Sequence, residues 1–353
     1  MTLKICFMIP GFSDGGAQRQ CIYLLNELQK RDDVELHLIR FHKGIHDHLL
    51  KTDRIEILDI PVKSNYDIRG MMRAADQVKK IGPDILMSWL HSSDIYSFFI
   101  RLLSRGSKWV MTERDSSYPN ELRYWVRLKL GRYADAIVAN SASGDALWAA
   151  NGARGKRFVA NNIVPFGAPA PTAAEPSRTV LHIGRLEPQK NALVLAEAFA
   201  IVAVRRPDLT FQLVGDGSLR GKIEAITARA GVSDRVQLLG FQKSVMPFLA
   251  KAALLVSLSH HEGLPNALLE GTVSGVPIVA SDIREHQDLL GTDYPFYVPD
   301  RGDAEVAAAM IERALDDLSA ASYLKFAKSR TDAMTGSAVA DNYIDIFRSV
   351  MAG

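Results

Sequence analysis

The sequence predicts an α/β protein that contains two doubly wound parallel sheets. Apolar runs of strand length alternate with helical patterns along almost all of the 353 residues. Such alternation indicates parallel strands with helices on both faces. A proline-rich segment at 165–176 interrupts the alternation once, after which it starts again. Because the length is that of two ordinary domains, each half is predicted to form its own sheet.

The first half contains five apolar runs of strand length. They lie at 3–9, 34–40, 84–89, 109–112 and 135–139. The segments between them carry apolar residues at helical spacing, as in the run that contains Ile22, Leu24, Leu25 and Leu28. These runs predict an N-terminal domain at 1–164, with crossover helices between parallel strands.

A break in composition marks the domain boundary. Four prolines fall within the twelve residues 165–176, and this segment has no Leu, Ile or Val. It lacks the apolar material for packing and resists helix formation. We therefore interpret 165–178 as an interdomain linker.

The second half repeats the pattern and ends in a helix. Strands are predicted at 180–184, 209–215, 236–239, 254–258 and 278–281, with helices at 193–204 and 219–230. This domain is assigned to 179–335. Residues 336–353 carry Ile344, Phe347 and Met351 at helical spacing, which predicts an amphipathic helix that crosses back to the N-terminal domain. Ligands of such sheets bind beyond the carboxyl ends of the strands, so a site is expected in a cleft between two facing domains.

Composition excludes several classes of protein. Apolar residues make up 47% and charged residues 23% of the chain, which excludes a disordered, collagen-like or membrane-spanning protein. The apolar start at 5–9 is too short for the core of a signal peptide. The net charge of +2 gives no reason to expect nucleic acid as a partner. Cys6 and Cys21 lack metal-ligand spacing and are expected to be buried free thiols.

The most specific motif is the stretch HHEGLPNALLEG at 260–271. It follows a predicted strand, and Pro265 suits the first turn of a helix, whose free N–H groups attract phosphate oxygens. Glu262 and Glu270 can each accept hydrogen bonds from a pair of vicinal hydroxyls, as sugars and ribose offer. The alternative is that both glutamates are ordinary solvated acids.

Two cations follow the first predicted strand of the second half. The strand ends in Gly184-Arg185, and Lys190 is expected to open the next helix. Fixed cations at this position could neutralise a departing diphosphate, and removal of one such charge costs about 3–4 kcal/mol of transition-state stabilisation. Solvated surface cations are the alternative interpretation.

The loop after the first strand is glycine-rich. Gly15-Gly16 allows backbone N–H groups to approach an anion at a helix start. Its spacing does not fit a dinucleotide fingerprint. Residues 11–15 also match the G-x-S-x-G pattern of serine hydrolases, but no earlier strand can supply the oxyanion hole, so we interpret the match as chance. The absence of an Asp-x-Asp pair, a Walker A loop and a His-Glu-x-x-His motif from the sequence argues against metal-dependent chemistry.

Together these motifs resemble family four of the retaining glycosyltransferases. The resemblance covers nearly the whole chain and depends mainly on the Glu-x7-Glu element with its internal Pro-Asn. That element is formed by Glu262 and Glu270, and the supporting motifs are Gly15-Gly16, Gly184-Arg185 with Lys190, and Gly215-Asp216-Gly217. The resemblance implies the GT-B fold, in which two Rossmann-like domains face each other across a central cleft.

The resemblance also implies roles for individual residues in binding the nucleotide sugar. Arg185 and Lys190 are expected to hold the diphosphate, Glu270 the ribose, and Glu262 the sugar. His91 matches the family histidine beside the transferred carbon. The catalytic set is therefore His91, Arg185, Lys190 and Glu262. The expected donor-binding residues are Gly16, Gly184, Arg185, Lys190, Gly215, Phe241, Glu262, Gly263, Leu264, Pro265, Asn266 and Glu270. Asn191 departs from the family, which often has a glycine after the lysine.

The acceptor is expected to contact the N-terminal domain. The residues assigned to it by resemblance are Gly15, Gln18, Arg19 and Arg114, the last within a Thr-Glu-Arg-Asp motif at 112–115. Between 101 and 132 there are eight basic residues against three acids, with Leu122, Tyr124 and Trp125 among them. Such a region suits the surface of an anionic membrane, and a solvated helix is the alternative.

The predicted function is a retaining, hexosyltransferase-type glycosyltransferase in polysaccharide or glycolipid biosynthesis. It is expected to move a sugar from a nucleotide diphosphate, with UDP favoured, to a saccharide acceptor that is lipid-linked. No metal or other cofactor is expected. The expected location is the cytoplasm, with peripheral attachment to the cytosolic face of the inner membrane. The alternatives are a nucleotide-sugar-binding protein without turnover and a glycoside hydrolase, which uses two carboxylates about 5 Å apart.

Overall fold

The computed structural model describes residues 2–13, 15–64, 67–104, 106–164 and 177–353. The chain divides into two compact units. The first contains Met1–Ile163 and Gly336–Gly353, and the second contains Val164–Thr335. The predicted linker lies almost wholly outside the described residues, since 165–176 are not among them.

The described part of the first unit contains a seven-stranded parallel sheet in the order β3-β2-β1-β4-β5-β6-β7. Its strands are β1 Leu3–Ile9, β2 Val34–Arg40, β3 Ile55–Asp59, β4 Ile85–Ser88, β5 Lys108–Glu113, β6 Ala136–Ala139 and β7 Lys156–Val159. The helices between them are α1 Gly16–Leu28, α2 Ile68–Ile81, α3 His91–Leu103, α4 Leu122–Gly131 and α5 Ala142–Ala150.

The described part of the second unit contains a six-stranded parallel sheet in the order β10-β9-β8-β11-β12-β13. Its strands are β8 Thr179–Ile183, β9 Thr210–Val214, β10 Val236–Gly240, β11 Ala252–Ser257, β12 Ile278–Ser281 and β13 Tyr297–Val298. Its helices are α6 Ala192–Arg205, α7 Arg220–Arg229, α8 Met246–Leu249, α9 Asn266–Val273, α10 Arg284–Leu290, α11 Ala304–Asp316 and α12 Lys325–Asp332. The last helix of the chain, α13 Gly336–Met351, belongs to the first unit.

The predicted fold class is confirmed: both sheets are parallel and of the Rossmann type. Each predicted strand is present within one or two residues at either end. Three strands were missed, namely β3, β7 and β13, and all three are edge strands. Edge strands carry charged or half-exposed side chains, as in the Lys-Arg-Phe-Val sequence of β7, so they lack an apolar signature.

Alternate residues of β1 face the two sides of the first sheet. Phe7 and Ile9 pack with α1 and α13, whereas Cys6 and Met8 pack with α2 and α3. Both cysteines are buried free thiols, as predicted.

Helix α13 packs along α1 in the first unit. Tyr343 and Phe347 are buried in the same apolar core as Leu24 and Leu25 of α1. Arg348 also pairs with Asp33 at 2.9 Å at the edge of this contact. Of the three residues predicted to form the apolar face of this helix, Ile344 and Phe347 are buried in the core of the first unit, whereas Met351 is 39% exposed at the end of the helix.

Candidate active site

In the second unit, a cation and a carboxylate from two neighbouring loops form a close ion pair. Lys190 Nζ donates to Glu262 Oε1 at 2.5 Å. Lys190 comes after β8 and Glu262 after β11, and these two strands are neighbours in the sheet. The carboxyl ends of parallel strands meet at one edge, so sheet order explains why residues 72 positions apart come into contact.

Hydrogen bonds to main-chain carbonyls fasten these two loops together. The His260 N–H donates to the Gln189 carbonyl at 2.9 Å, and Gln189 Nε2 donates to the His261 carbonyl at 3.2 Å. Arg301 donates to the His260 carbonyl at 2.8 Å. The tandem histidines therefore contribute through their main chain to the alignment of Lys190 with Glu262.

Lys190 does not open a helix, which corrects the sequence prediction. It ends a 3₁₀ turn at Pro188–Lys190, and α6 begins only at Ala192. Asn191 causes this break, because its φ of 54° places it in the left-handed region, which Asn tolerates better than most residues. Its Nδ2 also donates to the Arg301 carbonyl at 2.7 Å. An asparagine here thus adopts a conformation that glycine would also accept.

The carboxylate of Glu262 is buried yet stays ionised at neutral pH. Burial alone raises its pKa, but the charge of Lys190 and the hydrogen bonds from Lys190 and Ser259 outweigh burial and leave the pKa below its usual value. Ser259 Oγ donates to Glu262 Oε1 at 2.6 Å, and Ser281 Oγ donates to the Ser259 carbonyl at 2.7 Å. The side chain is consequently fixed as a hydrogen-bond acceptor.

Helix α9 begins just after this loop and carries Glu270. The sequence placed Pro265 in the first turn; the structure places it at the N-cap, one residue before the helix begins at Asn266. Glu270 is buried one turn into the helix. Gly263 and Pro265 are also buried, whereas Leu264 and Asn266 are half-buried. This segment follows β11 at the same edge of the sheet as Lys190.

One of the predicted glycines, Gly215, has a steric reason for being glycine. A side chain at Gly215 would lie 2.0 Å from the Gly184 carbonyl oxygen, and its φ is 136°. Gly184 in turn donates its N–H to the Val214 carbonyl at 3.0 Å. Arg185 follows directly and is exposed, with its guanidinium donating to Gln189 at 2.9 Å. Phe241 is half-buried just beyond β10. All of these residues lie beyond the carboxyl ends of adjacent strands.

In the first unit, the loop after β1 leads directly into α1. Gly15 caps this helix, Gly16 is its first residue, and the Arg19 N–H donates to the Gly15 carbonyl. Gln18 folds back over the loop, and its Nε2 donates to Ser13 Oγ at 3.3 Å. A side chain at Gly15 would collide with Gln18, so this glycine permits the folded-back position.

Arg114 fastens helix α13 to the carboxyl end of β5. Its two terminal nitrogens donate to Asn162 at 3.1 Å and to the Tyr343 hydroxyl at 2.6 Å. Its guanidinium also stacks 3.9 Å from the Trp89 ring. A structural role therefore accounts for its contacts, and its assignment to the acceptor stays a prediction.

His91 is the first residue of α3 and follows a strained turn. Leu90 has a φ of 74°, which is costly for a leucine, at about 1–2 kcal/mol. Ser93 Oγ donates to the Leu90 carbonyl at 2.9 Å and supports the turn. Burial, followed by the charges of Arg127 and Arg123, lowers the pKa of His91 to about 4. The imidazole is therefore neutral at physiological pH.

The sequence analysis missed a buried charge network beside His91. Arg127, with 3% of its side chain exposed, donates to Asp94 at 2.7 Å and to Glu113 at 2.7 Å. Asp94 also accepts from Ser88 at 2.6 Å, and Glu113 from Trp148 at 2.8 Å. Burial raises the pKa of Asp94 to about 6 despite the cation. The partners lie 14 and 33 residues from Arg127, so no local pattern could have revealed them.

This network corrects part of the predicted basic surface at 101–132. Arg127 is buried rather than solvent-facing, and Arg101 pairs with Asp135 at 2.8 Å. Arg105 lies outside the described residues. What remains exposed on α4 is more apolar than predicted: Leu122 is 70% exposed and Trp125 56% exposed.

Two searches of the described residues bear on the predicted partners. No helix there is long and apolar enough to cross a bilayer. Within the same ranges, no three His, Cys, Asp or Glu side chains cluster as metal ligands. The expectation that no metal takes part stays a prediction.

Residues 177–317 match the family described as Glycosyl transferases group 1. This match spans the sheet that carries Lys190 and Glu262.

Two relatives that align over most of their length are named as enzymes that transfer sugars. The chain is 27% identical to the lipopolysaccharide core biosynthesis glycosyltransferase LpsE of Rhizobium meliloti, with 87% of each chain covered. It is 24% identical to a Campylobacter jejuni enzyme, the GalNAc-alpha-(1->4)-GalNAc-alpha-(1->3)-diNAcBac-PP-undecaprenol alpha-1,4-N-acetyl-D-galactosaminyltransferase, with 89% of each covered. The solved structure of Anabaena HepE with UDP-glucose superposes with a TM-score of 0.86 at 18% identity, covering 98% of this chain and 100% of the other.

The chain is therefore a glycosyltransferase with the GT-B fold, as the sequence analysis predicted.

Proposed function

We propose that the chain is a retaining glycosyltransferase that moves a sugar from a UDP-sugar to a lipid-linked saccharide acceptor. The observation that carries this proposal is the ion pair between Lys190 and Glu262 at the carboxyl edge of the second sheet. In this pair the Lys190 ammonium, which can bind a diphosphate, lies directly beside the ionised carboxylate of Glu262, which can accept hydrogen bonds from sugar hydroxyls. A glycosidase has no need of such a cation, so the pairing favours transfer from an activated phosphate donor.

The proposed reaction breaks the bond between the anomeric carbon and the diphosphate oxygen. The bonding electron pair leaves with the diphosphate, where Lys190 and Arg185 balance the growing negative charge. The acceptor oxygen forms the new bond on the same face of the sugar, and its proton passes to the departing phosphate oxygen. Glu262 orients the sugar, Glu270 binds the ribose, and neutral His91 contacts the transferred sugar.

The choice of UDP is supported by what related proteins bind. HepE was solved with UDP and with UDP-glucose, and an Escherichia coli relative is named for a UDP-Gal donor. We expect UDP and UDP-hexoses to raise the melting temperature of the full chain, whereas GDP-mannose leaves it unchanged, because a ligand stabilises the state it binds. A larger rise in melting temperature with GDP-mannose than with the UDP-sugars would contradict uracil as the base of the donor.

Retention is testable without knowledge of the acceptor. With water as the acceptor, slow hydrolysis of an α-linked UDP-sugar should first release the α-anomer, which proton NMR resolves before mutarotation. First release of the β-anomer would contradict a retaining mechanism. A Glu262→Gln preparation serves as the control for contaminating hydrolases.

A membrane location of the acceptor is supported by relatives and by helix α4. The Campylobacter jejuni relative is named for a PP-undecaprenol-linked acceptor. Leu122 and Trp125 project from α4, and Lys129 lies 5.8 Å from the Trp125 ring. Apolar and aromatic side chains flanked by cations suit the interface of an anionic bilayer.

Vesicle sedimentation tests this contact. The wild-type chain should bind phosphatidylglycerol vesicles, bind phosphatidylcholine vesicles more weakly, and lose binding as salt is raised. The double variant Leu122→Glu/Trp125→Glu should not sediment. Leu318→Glu is the matched control, because Leu318 is likewise an exposed apolar side chain but lies in the second unit. Equal sedimentation of all three proteins would contradict the proposed surface.

A further inference from the structure

The aromatic side chain against His91 is Tyr124, the third residue of α4. Their ring centroids are 5.7 Å apart, with an edge-to-face angle of 60°. Both side chains are half-buried. An edge contact of this kind restricts rotation of the imidazole and shields one side of it from water.

Tyr124 is itself held from two directions. The Tyr118 ring stacks on it at 4.6 Å with an angle of 28°, and the Arg123 guanidinium lies 4.6 Å from its centroid. Within the described residues, neither tyrosine belongs to the apolar cores of the first unit. Outside this loop, the stack contacts His91 through Tyr124, and its Tyr118 ring lies 5.2 Å from the Arg127 guanidinium.

Glu113 anchors the stack to the sheet. The Tyr118 hydroxyl donates to Glu113 Oε1, and the backbone N–H groups of Arg114 and Asp115 donate to the same oxygen at 2.8 and 3.1 Å. The other carboxylate oxygen accepts from Arg127 and Trp148. A fully buried carboxylate with five donors fixes the loop that presents Tyr118.

The backbone and the side chain of His91 are thus restrained by separate means. The strained Leu90 turn fixes where the backbone enters α3. The side chain extends beyond that turn, and Tyr124 is the ring that it meets.

We propose that Tyr124 is a positioning residue for His91, and that Glu113 keeps Tyr124 in place through Tyr118. This inference rests on the proposed contact between His91 and the transferred sugar. It adds three residues to the machinery of the reaction, and of these only Glu113 falls within a motif of the sequence analysis, the Thr-Glu-Arg-Asp at 112–115. Their role is to hold the imidazole in one orientation, not to contact substrate.

Three variants and two measurements test it. Tyr124→Ala should lower kcat by about 10- to 100-fold, the usual consequence of a small misplacement of a reacting group, with the donor Kd unchanged. Tyr124→Phe keeps the ring and should retain wild-type kcat. Tyr118→Phe loses the bond to Glu113 and should fall between the two. Tyr323→Ala in the second unit is the control for loss of a half-exposed tyrosine ring.

The second measurement follows His91 itself by NMR titration. The wild-type pKa is about 4 because of burial and of Arg127 and Arg123, with Glu121 opposing them. Removal of the Tyr124 ring admits water, so the pKa should rise toward 6.5 in Tyr124→Ala and stay low in Tyr124→Phe. A change in fold stability alone would not produce this difference.

The outcomes separate the inference from the proposed function. Wild-type kcat together with an unshifted His91 pKa in Tyr124→Ala would overturn the positioning role. A shifted pKa with wild-type turnover in both Tyr124→Ala and His91→Ala would uphold the positioning role and overturn the proposed role of His91.

Discussion

Replacement of Lys190 by methionine is expected to lower kcat/KM for the nucleotide sugar by about 10²- to 10³-fold, the magnitude measured for loss of one preorganised charge partner in a transition state. The substitution keeps an unbranched side chain one atom shorter than lysine but removes the ammonium that lies 2.5 Å from Glu262 Oε1. It also leaves that buried carboxylate without its cation, so the second unit should lose stability. Steady-state kinetics and thermal unfolding measure the two effects.

A second substitution separates catalysis from stability. In Lys190→Met/Glu262→Gln the unpaired charge is gone, so the melting temperature should recover while activity stays low. Lys222→Met on α7 is the matched control, because it removes an exposed lysine from the same unit. Recovery of activity along with stability would show that Lys190 acts only as a structural partner of Glu262.

The central strands were predictable because burial on both faces leaves a strong apolar signal. Residues 3–9, 34–40 and 278–281 were predicted with the bounds that the structure shows. The edge strands β3 and β7 were missed, since half of their side chains face water and include charges. A continuous apolar run in the sequence therefore indicates that a strand lies in the interior of the sheet, and its absence does not exclude a strand at the edge.

The sequence predicted which residues belong to the candidate donor site, but it did not predict how they are arranged. Glu262, Glu270, Arg185 and Lys190 stand out by their spacing and by their places after strands. That Lys190 pairs with Glu262 follows from the adjacency of β8 and β11, which the chain order does not give. The 3₁₀ turn before α6 depends on the left-handed conformation of Asn191, which a pattern of apolar residues does not predict.

The prediction of a basic surface at 101–132 was wrong at Arg127, whereas the assignment of Arg114 to the acceptor stays a prediction. Arg127 and Arg114 count as basic residues in the sequence, yet the first is buried and the second fastens α13. Each has partners far along the chain, and such pairing is invisible to a count of local charge. The same residues prove central to the order of the loop beside His91.

Replacement of Arg127 by methionine is expected to destabilise the first unit by about 3–5 kcal/mol, the cost of leaving buried charges without a partner. Asp94 and Glu113 would both lose their cation inside the protein. The decrease in the free energy of unfolding should be larger at pH 8 than at pH 5. Asp94 already has a raised pKa of about 6, and removal of Arg127 raises it further, so stability falls as pH rises through that range while the carboxylate is forced to ionise.

Arg123→Met is the matched control on the same helix. Its side chain is 41% exposed and pairs with Glu121 at 2.8 Å, so its loss should cost about 0.2–1 kcal/mol with little dependence on pH. Urea unfolding at pH 5 and pH 8 measures both variants. Equal free energies of unfolding for the two variants would contradict a stabilising network around Arg127. If only Arg127→Met has a lowered free energy of unfolding, and if the difference from wild type grows with pH, the destabilised groups are the buried carboxylates that have lost their cation.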